Sequence, residues 1–309
     1  MAAPGRSFKR LRRAVLYPLE GAVAHLFYGL AGLLPLDAAS AVGGWLGKTI
    51  GPFIDVSNTA RRNIHAAFPE KSAQEVTQIV KDVWENLGRT VFEFPHLRKM
   101  DFLNTPDRFE LVHLDRLTAP RDAGQPGIFF SGHFANWEIP PQVAGQLGLP
   151  VGLVFRAPNN PYVARLFDRR QPNADAPLFA KGDAAARGIF SHLKKGGYLA
   201  ILVDQKLNTG IPVPFFGRDA MTAPAVAQFA LRLHCPLVPV QTIRLQGCRF
   251  RVVFHPPLTP PNTGDKEADV LALMAQVNGC LEDWIRQHPG QWLWLHERWP
   301  KRPRSERRR

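Results

Sequence analysis

The chain has 309 residues, 45% of them hydrophobic, and a formal net charge of +13. That length supports one large domain or two small ones with a sizeable core, and the composition is that of a globular protein, which excludes a polytopic membrane protein. Three cysteines (Cys235, Cys248, Cys280) lack Cys-x-x-Cys spacing and cannot all pair, so they fit a reducing compartment and no zinc site.

The charge is concentrated at the ends. Residues 1–13 hold five basic side chains and no acid, and residues 300–309 hold six against the single acid Glu306. Basic tails bind nucleic acid or anionic lipid head groups. No nucleic-acid recognition motif accompanies these, and an apolar stretch from Gly21 to Leu36 follows the first tail. An anionic membrane surface is therefore the expected partner, and no nucleic acid is expected. The stretch is shorter than the roughly 20 residues a spanning helix needs and contains His25 and Pro35. It reads as a retained interfacial or marginally inserted anchor with the basic tail on the cytoplasmic side; a buried helical hairpin and a cleaved signal peptide are the alternatives.

Next comes Arg61 to Glu70, a short helix ended by its proline, Pro69. Ser72 and Glu75 have capping-box spacing. Val76, Ile79, Val80, Val83, Trp84, Leu87 and Val91 recur at helical intervals and predict one buried face. From residue 108, short apolar runs at 109–114, 127–130, 151–155, 198–203, 237–243 and 250–254 read as strands. Helical stretches at 161–170, 183–195, 222–233 and 266–287 fall between and after them. This alternation predicts an α/β fold, a mostly parallel central sheet flanked by helices, with an N-terminal helical membrane-associating segment. The expected division is a basic, membrane-associating segment at 1–54, an α/β domain at 55–299 and a basic tail at 300–309.

Chemistry concentrates at the ends of these strands. Gly127-Ile128-Phe129-Phe130 is a buried strand broken by Ser131-Gly132, and His133 follows at its carboxyl end, where open α/β sheets place reacting groups. Glu138, five residues on, falls in the first turn of the next helix. A His and a carboxylate on one tight turn suit a general base and its orienting partner. Arg156 ends another strand; its fork suits a phosphate, a carboxylate or a developing oxyanion, and a structural salt bridge is the alternative. Asp204-Gln205 end a third. Polar groups at several strand ends point to one shared site. Phe215-Phe216-Gly217, in a proline-punctuated loop, reads as an apolar wall beside it.

Six segments together resemble the bacterial lipid A biosynthesis acyltransferase family, within the glycerolipid acyltransferase group. They are Arg62-Asn63-Ile64 with Phe68-Pro69-Glu70; His133 to Glu138, which has the group's His-x4-Asp/Glu signature; Phe155-Arg156 with Asn160-Pro161; Asp204-Gln205; Phe215-Phe216-Gly217 followed by Thr222; and Gln291 to Trp299. The resemblance implies a lauroyl- or myristoyl-type acyltransferase on the cytoplasmic face of the inner membrane, held by one N-terminal anchor and needing no metal or cofactor. It implies acyl carrier protein as donor and a lipid A precursor, a phosphorylated Kdo-bearing disaccharide, as acceptor. His133 would then remove the acceptor proton, Glu138 would orient His133, and Arg156 would meet an oxyanion or phosphate. Asp204, Gln205, Asn136, Asn160, Phe215 and Phe216 would bind substrate. The short, proline-broken anchor departs from the family pattern. Two other readings stay open from sequence: the same chemistry on another glycolipid or a lysophospholipid, and a non-catalytic membrane- or nucleic-acid-binding protein acting through its tails.

Overall fold

A computed structural model describes residues 12–155, 158–167, 175–180 and 182–299. Arg156, residues 1–11 and the C-terminal tail lie outside the described residues.

Helix α1 (Tyr17–Leu33) follows a π-helical turn at Arg12–Leu16. The continuous run Arg13–Leu33 is 21 residues long and only 11% buried, which at 1.5 Å per residue is roughly 31 Å, about the thickness of a bilayer's hydrocarbon core. The apolar helix is therefore longer than the expected stretch Gly21 to Leu36, and by length and composition it is long enough to cross a membrane. The helix starts before Gly21, since Ala14 to Leu16 and Leu19 continue the apolar run, and Pro18 sits where the π-helical turn passes into the α-helix. It ends before Pro35, so the proline does not break it. Leu19, Val23, Leu26, Leu30 and Leu33, spaced along one face, are all exposed. Among the described residues this is the one helix long and apolar enough to cross a membrane.

Helix α2 (Leu36–Ile50) lies against α4 (Ala73–Glu93) in near backbone contact. A Cβ on Gly43 would stand 2.4 Å from the Gly88 carbonyl oxygen, and one on Gly47 would stand 2.1 Å from that of Trp84. Between them, α3 spans Ser57–Ala67. The capping box of α4 is formed as the spacing predicts: the Glu75 N–H donates to Ser72 Oγ, and the Ser72 N–H donates to Glu75 Oε2.

The centre is a seven-stranded sheet of β1 (Phe109–Val112), β2 (Gly127–Ser131), β3 (Val151–Phe155), β4 (Leu178–Ala180), β5 (Tyr198–Leu202), β8 (Leu237–Arg244) and β9 (Phe250–Phe254). Their spatial order is β1-β9-β8-β2-β5-β3-β4, with every pair parallel except β8–β9. All of β2 is buried, as a strand covered on both faces must be. Ile128 and Phe130 face one core with α3, α4 and α10 (Lys266–Gln287), while Phe129 faces the other with α6 (Ile139–Gln146), β1 and β9. The remaining helices are α5 (Asp115–Asp122), α7 (Pro161–Phe167), α8 (Asp183–Lys194) and α9 (Ala225–Leu233).

Sequence periodicity misses α5, β4 and one hairpin. Strands β6 (Lys206–Phe215) and β7 (Arg218–Thr222) form a separate two-stranded ribbon, so Phe215-Phe216-Gly217 is a hairpin turn rather than a loop. Phe216 and Gly217 have φ of 51° and 67°, as a two-residue primed turn requires. Pro212 and Pro214 hid the strand, but a two-stranded ribbon has unpaired edges that tolerate proline.

Candidate active site

Strands β2 and β5 run parallel with Ser131 opposite Leu202, and the ladder continues through a Val203 N–H bond to the Ser131 carbonyl. Two residues further on, each chain carries a polar group, His133 from β2 and Asp204 from β5. The shared register and direction deliver both to one point at the carboxyl edge of the sheet. Gly132 permits the close approach: a Cβ there would lie 3.2 Å from Asp204 Oδ2 and 3.1 Å from Leu281 Cδ2.

Asp204 is 5% exposed, and both its oxygens are engaged. Oδ1 accepts from His133 Nδ1 at 2.8 Å. Oδ2 accepts from the His133 backbone N–H at 2.7 Å and from Trp292 Nε1 at 2.8 Å. Burial alone would raise this carboxyl's pKa, but His133, by charge and hydrogen bonds, and Trp292 outweigh it and hold Asp204 well below the usual carboxylate range. It is therefore a carboxylate at neutral pH. With Nδ1–H donated to that carboxylate, the neutral imidazole carries its lone pair on Nε2, the form a general base needs. The His133 side chain is 14% exposed. Two rings stand edge-on to it, Trp137 at 5.1 Å and His296 at 5.8 Å between centroids.

Sequence paired His133 with Glu138 and expected Asp204 to position the acceptor; in the structure the carboxylate bonded to the His133 ring is that of Asp204. Glu138 stands immediately before α6, with no side-chain capping bond, and is buried. Its Oε1 accepts from Trp137 Nε1 at 3.0 Å, so it reaches His133 through the tryptophan that packs on the imidazole.

The intervening turn is held from three sides. Ala135 has a left-handed φ of 47°, uncommon for a residue with a Cβ. Its N–H donates to the Gln291 carbonyl at 2.8 Å, while its own carbonyl accepts from Asn86 Nδ2 at 3.0 Å and Thr90 Oγ1 at 3.1 Å. Phe134 bridges Trp292, and the Leu293 N–H donates to the His133 carbonyl. Asn136 is fully buried; Nδ2 donates to Glu93 Oε2 at 2.8 Å, and Oδ1 accepts the Glu138 N–H at 3.2 Å. It therefore shapes the turn.

The other predicted residues divide. Gln205 is half-buried between Asp204 and β6. Phe215 and Phe216 are buried in an aromatic cluster with Phe68, Trp292, Trp294 and Trp299, so Phe215 reaches the site through Trp292. Asn160 is engaged elsewhere: Nδ2 donates to the Tyr17 carbonyl at 2.9 Å and to Glu20 Oε2 at 3.0 Å, both on α1. Arg156 lies outside the described residues. Sequence reasoning missed Trp137, Trp292, Asn86 and Thr90 as supports of His133 and its turn. Asn86 and Thr90 are polar residues four apart on a helix, a signal that was present but uninterpretable before their partner was known.

A family model described as "Bacterial lipid A biosynthesis acyltransferase" matches residues 7–301. The chain is 23% identical over 278 residues to a lipid A biosynthesis palmitoleoyltransferase of Escherichia coli K12, covering 88% of each chain. It is 26% identical over 281 residues to a lipid A biosynthesis lauroyltransferase of the same organism, covering 87% of this chain and 88% of that one. A lipid A biosynthesis acyltransferase 2 of Shigella flexneri is 21% identical over 264 residues, or 82% of this chain and 80% of the relative.

Proposed function

Because this chain belongs to the bacterial lipid A biosynthesis acyltransferase family, we propose that it moves a fatty acyl chain, of lauroyl or myristoyl type, from acyl carrier protein to a hydroxyl of a phosphorylated, Kdo-bearing lipid A precursor. The observation that supports the mechanism best is the carboxylate–imidazole pair at the carboxyl edge of β2 and β5. His133 Nε2 takes the proton of the acceptor hydroxyl. The oxygen forms a bond to the thioester carbonyl carbon, the carbon–sulfur bond breaks, and the departing thiolate recovers the proton from the imidazolium. Asp204 fixes the tautomer and stabilises the imidazolium, and Glu138 holds Trp137 against it. A base so placed supplies about 10²–10⁴-fold, and orientation and oxyanion donors supply the rest. Arg156 is assigned to the oxyanion or to a substrate phosphate. The run Arg13–Leu33 is assigned to the inner membrane, with the α/β domain on the cytoplasmic face.

The test uses purified full-length protein, acyl carrier thioester and the phosphorylated disaccharide, with products read by mass spectrometry. Wild type should add one acyl chain, and His133→Ala should abolish transfer while staying folded. Near-normal turnover by His133→Ala would overturn the mechanism. Transfer to a lysophospholipid but not to the disaccharide would replace the acceptor.

A further inference from the structure

Sequence motifs draw attention to the strand ends, but among the described residues the most completely paired charges lie behind the catalytic turn. Glu93 is the last residue of α4 and fully buried; Arg244 is the last residue of β8, its side chain 8% exposed. They meet fork to fork: Arg244 Nη1 donates to Glu93 Oε1, and Nη2 to Oε2 at 3.0 Å. The other three donors of the guanidinium are also used. Nε donates to Asn86 Oδ1 at 2.9 Å, Nη1 to the Gly247 carbonyl at 2.8 Å and Nη2 to Thr90 Oγ1 at 3.2 Å. All five N–H groups of an arginine are thereby satisfied. Glu93 is as fully served, with Ser40 Oγ at 2.7 Å on Oε1 and Asn136 Nδ2 at 2.8 Å on Oε2.

A buried ion pair is weak evidence for stability, because desolvating both charges offsets their attraction. Its better-attested use is to specify one arrangement over others, and here the arrangement specified is the turn that carries His133. Asn86, Thr90 and Glu93 are spaced i, i+4, i+7 and so share one face of α4. Each bonds both Arg244 and the turn: Asn86 and Thr90 reach the Ala135 carbonyl, and Glu93 reaches Asn136. Arg244 also fixes the opposite wall, since its backbone N–H and carbonyl are both bonded by the Gln291 side chain while the Gln291 carbonyl receives the Ala135 N–H. The left-handed Ala135 is thus clamped at both its N–H and its carbonyl by groups that meet at Arg244: Asn86 and Thr90 on its guanidinium and Gln291 on its backbone.

We propose that Glu93 and Arg244, acting through Asn86, Thr90 and Asn136, are positioning residues for acyl transfer: they hold the Ala135 turn in the strained conformation that sets His133 against Asp204 and Glu138 against Trp137. They touch no substrate. A displacement of about 1 Å at such a turn is enough to cost on the order of 10²-fold in rate, so the network should be visible in kcat and not in substrate affinity.

This inference rests on the proposed transferase activity for one arm of its test and is independent of it in the other. The variants are Thr90→Val, which keeps shape but removes the donor to Ala135 and the acceptor for Arg244; Thr90→Ser, which restores both; and Glu93→Gln. In the transfer assay, Thr90→Val should lower kcat about tenfold with KM for both substrates unchanged, Thr90→Ser should recover it, and Glu93→Gln should lose more. Hydrogen exchange on full-length protein in detergent supplies the second arm. Amides of residues 133–138 should exchange at least about tenfold faster in Thr90→Val than in wild type, with the rest of α4 unchanged. Should Glu93→Gln fail to fold, the Thr90 pair decides alone. Unchanged kcat per folded molecule in Thr90→Val overturns the proposal, as does unchanged exchange in the turn. A wild type that transfers nothing would refute the functional assignment, and the exchange arm would still decide the positioning role.

Discussion

Replacing Asp204 by Asn tests the site most sharply, because the substitution changes almost no volume and its effects can be worked through atom by atom. The carboxylate accepts from three donors, one on Oδ1 and two on Oδ2. An asparagine can keep its oxygen on one side only. If the amide oxygen stays on His133 Nδ1, the NH2 group faces the His133 backbone N–H and Trp292 Nε1, and two buried donors lose their acceptor at about 1–3 kcal/mol each. If the amide turns over, those donors are satisfied, but the NH2 group now donates to Nδ1. The ring proton must then sit on Nε2, and the lone pair the mechanism needs is gone. The second arrangement avoids the larger clash and is the one expected.

A wrong tautomer at an Asp–His pair costs about 10⁴-fold in kcat in hydrolases that use one, equivalent to about 5.5 kcal/mol of transition-state stabilisation. Asp204→Asn should therefore lower kcat by about 10³–10⁴-fold while the thermal midpoint moves little. Asp204→Glu keeps the charge but displaces it by one methylene and should retain more activity than Asn. Single-turnover transfer from labelled acyl carrier thioester, with unfolding followed in the same detergent, separates chemistry from folding. Retention of more than a tenth of wild-type kcat by Asp204→Asn would show that Asp204 does not set the imidazole, and the role would pass to Glu138.

Gly132→Ala places a Cβ 3.2 Å from Asp204 Oδ2 and 3.1 Å from Leu281, so the carboxylate must shift by a few tenths of an ångström; kcat should fall about tenfold with KM steady, and an unaffected kcat would show the approach to be slack. Acid should unfold the protein through its buried carboxylates. Burial works to raise both pKa values, but the partners of Asp204, and Arg244, Ser40 and Asn136 around Glu93, hold both below their usual range. The native form then binds fewer protons than the unfolded chain at low pH, so this stability is complete above the unfolded pKa of about 4 and is lost as pH falls below it. Urea midpoints measured from pH 6 to pH 3 should drop along that limb, and a flat profile would contradict the assignment. A truncation starting at Asp55 removes α1 and α2 and should fractionate partly as soluble protein, losing transfer to bilayer-embedded acceptor; complete retention on membranes would place the anchor elsewhere.

What the sequence made legible follows from the range of the forces involved. Strand β3, strand β9 and helix α10 coincide with the expected spans because each is a run of apolar residues long enough for its period to register. The strand-end positions of His133 and Asp204 were legible for the same reason. Their hydrogen bond was not, because it depends on β2 and β5 being neighbours in register, 71 residues apart in sequence. Glu138 lies nearer along the chain and drew the role by proximity, but the turn sends its carboxylate to Trp137. The hairpin was hidden by prolines, which read as breakers wherever strand edges are not known to be free. Glu93 and Arg244 were not singled out, since a single charged residue carries no local mark of burial; only the convergence of α4 and β8 reveals the pair.

The placement of Asn160 joins the site to the N-terminal helix. Its side chain ties Tyr17 and Glu20 of α1 to the start of α7, where its Oδ1 also accepts the Tyr162 N–H. Gly21 makes this contact close, since a Cβ there would lie 2.3 Å from the Tyr162 Cβ. Helix α7 follows the carboxyl end of β3, and β3 runs parallel to β5, so the first turns of α1 dock at the same edge of the sheet that presents His133 and Asp204. An acceptor that is itself an amphiphile exposes its reactive hydroxyl near the membrane surface, and lifting its chains into water would cost about 0.8 kcal/mol per methylene. A helix that only tethered the domain by a loose linker would leave the sheet edge free to turn away from that surface. A helix fixed to the edge does not, and Asn160, bonded to Tyr17, Glu20 and Tyr162, is the side chain that joins α1 to α7 here.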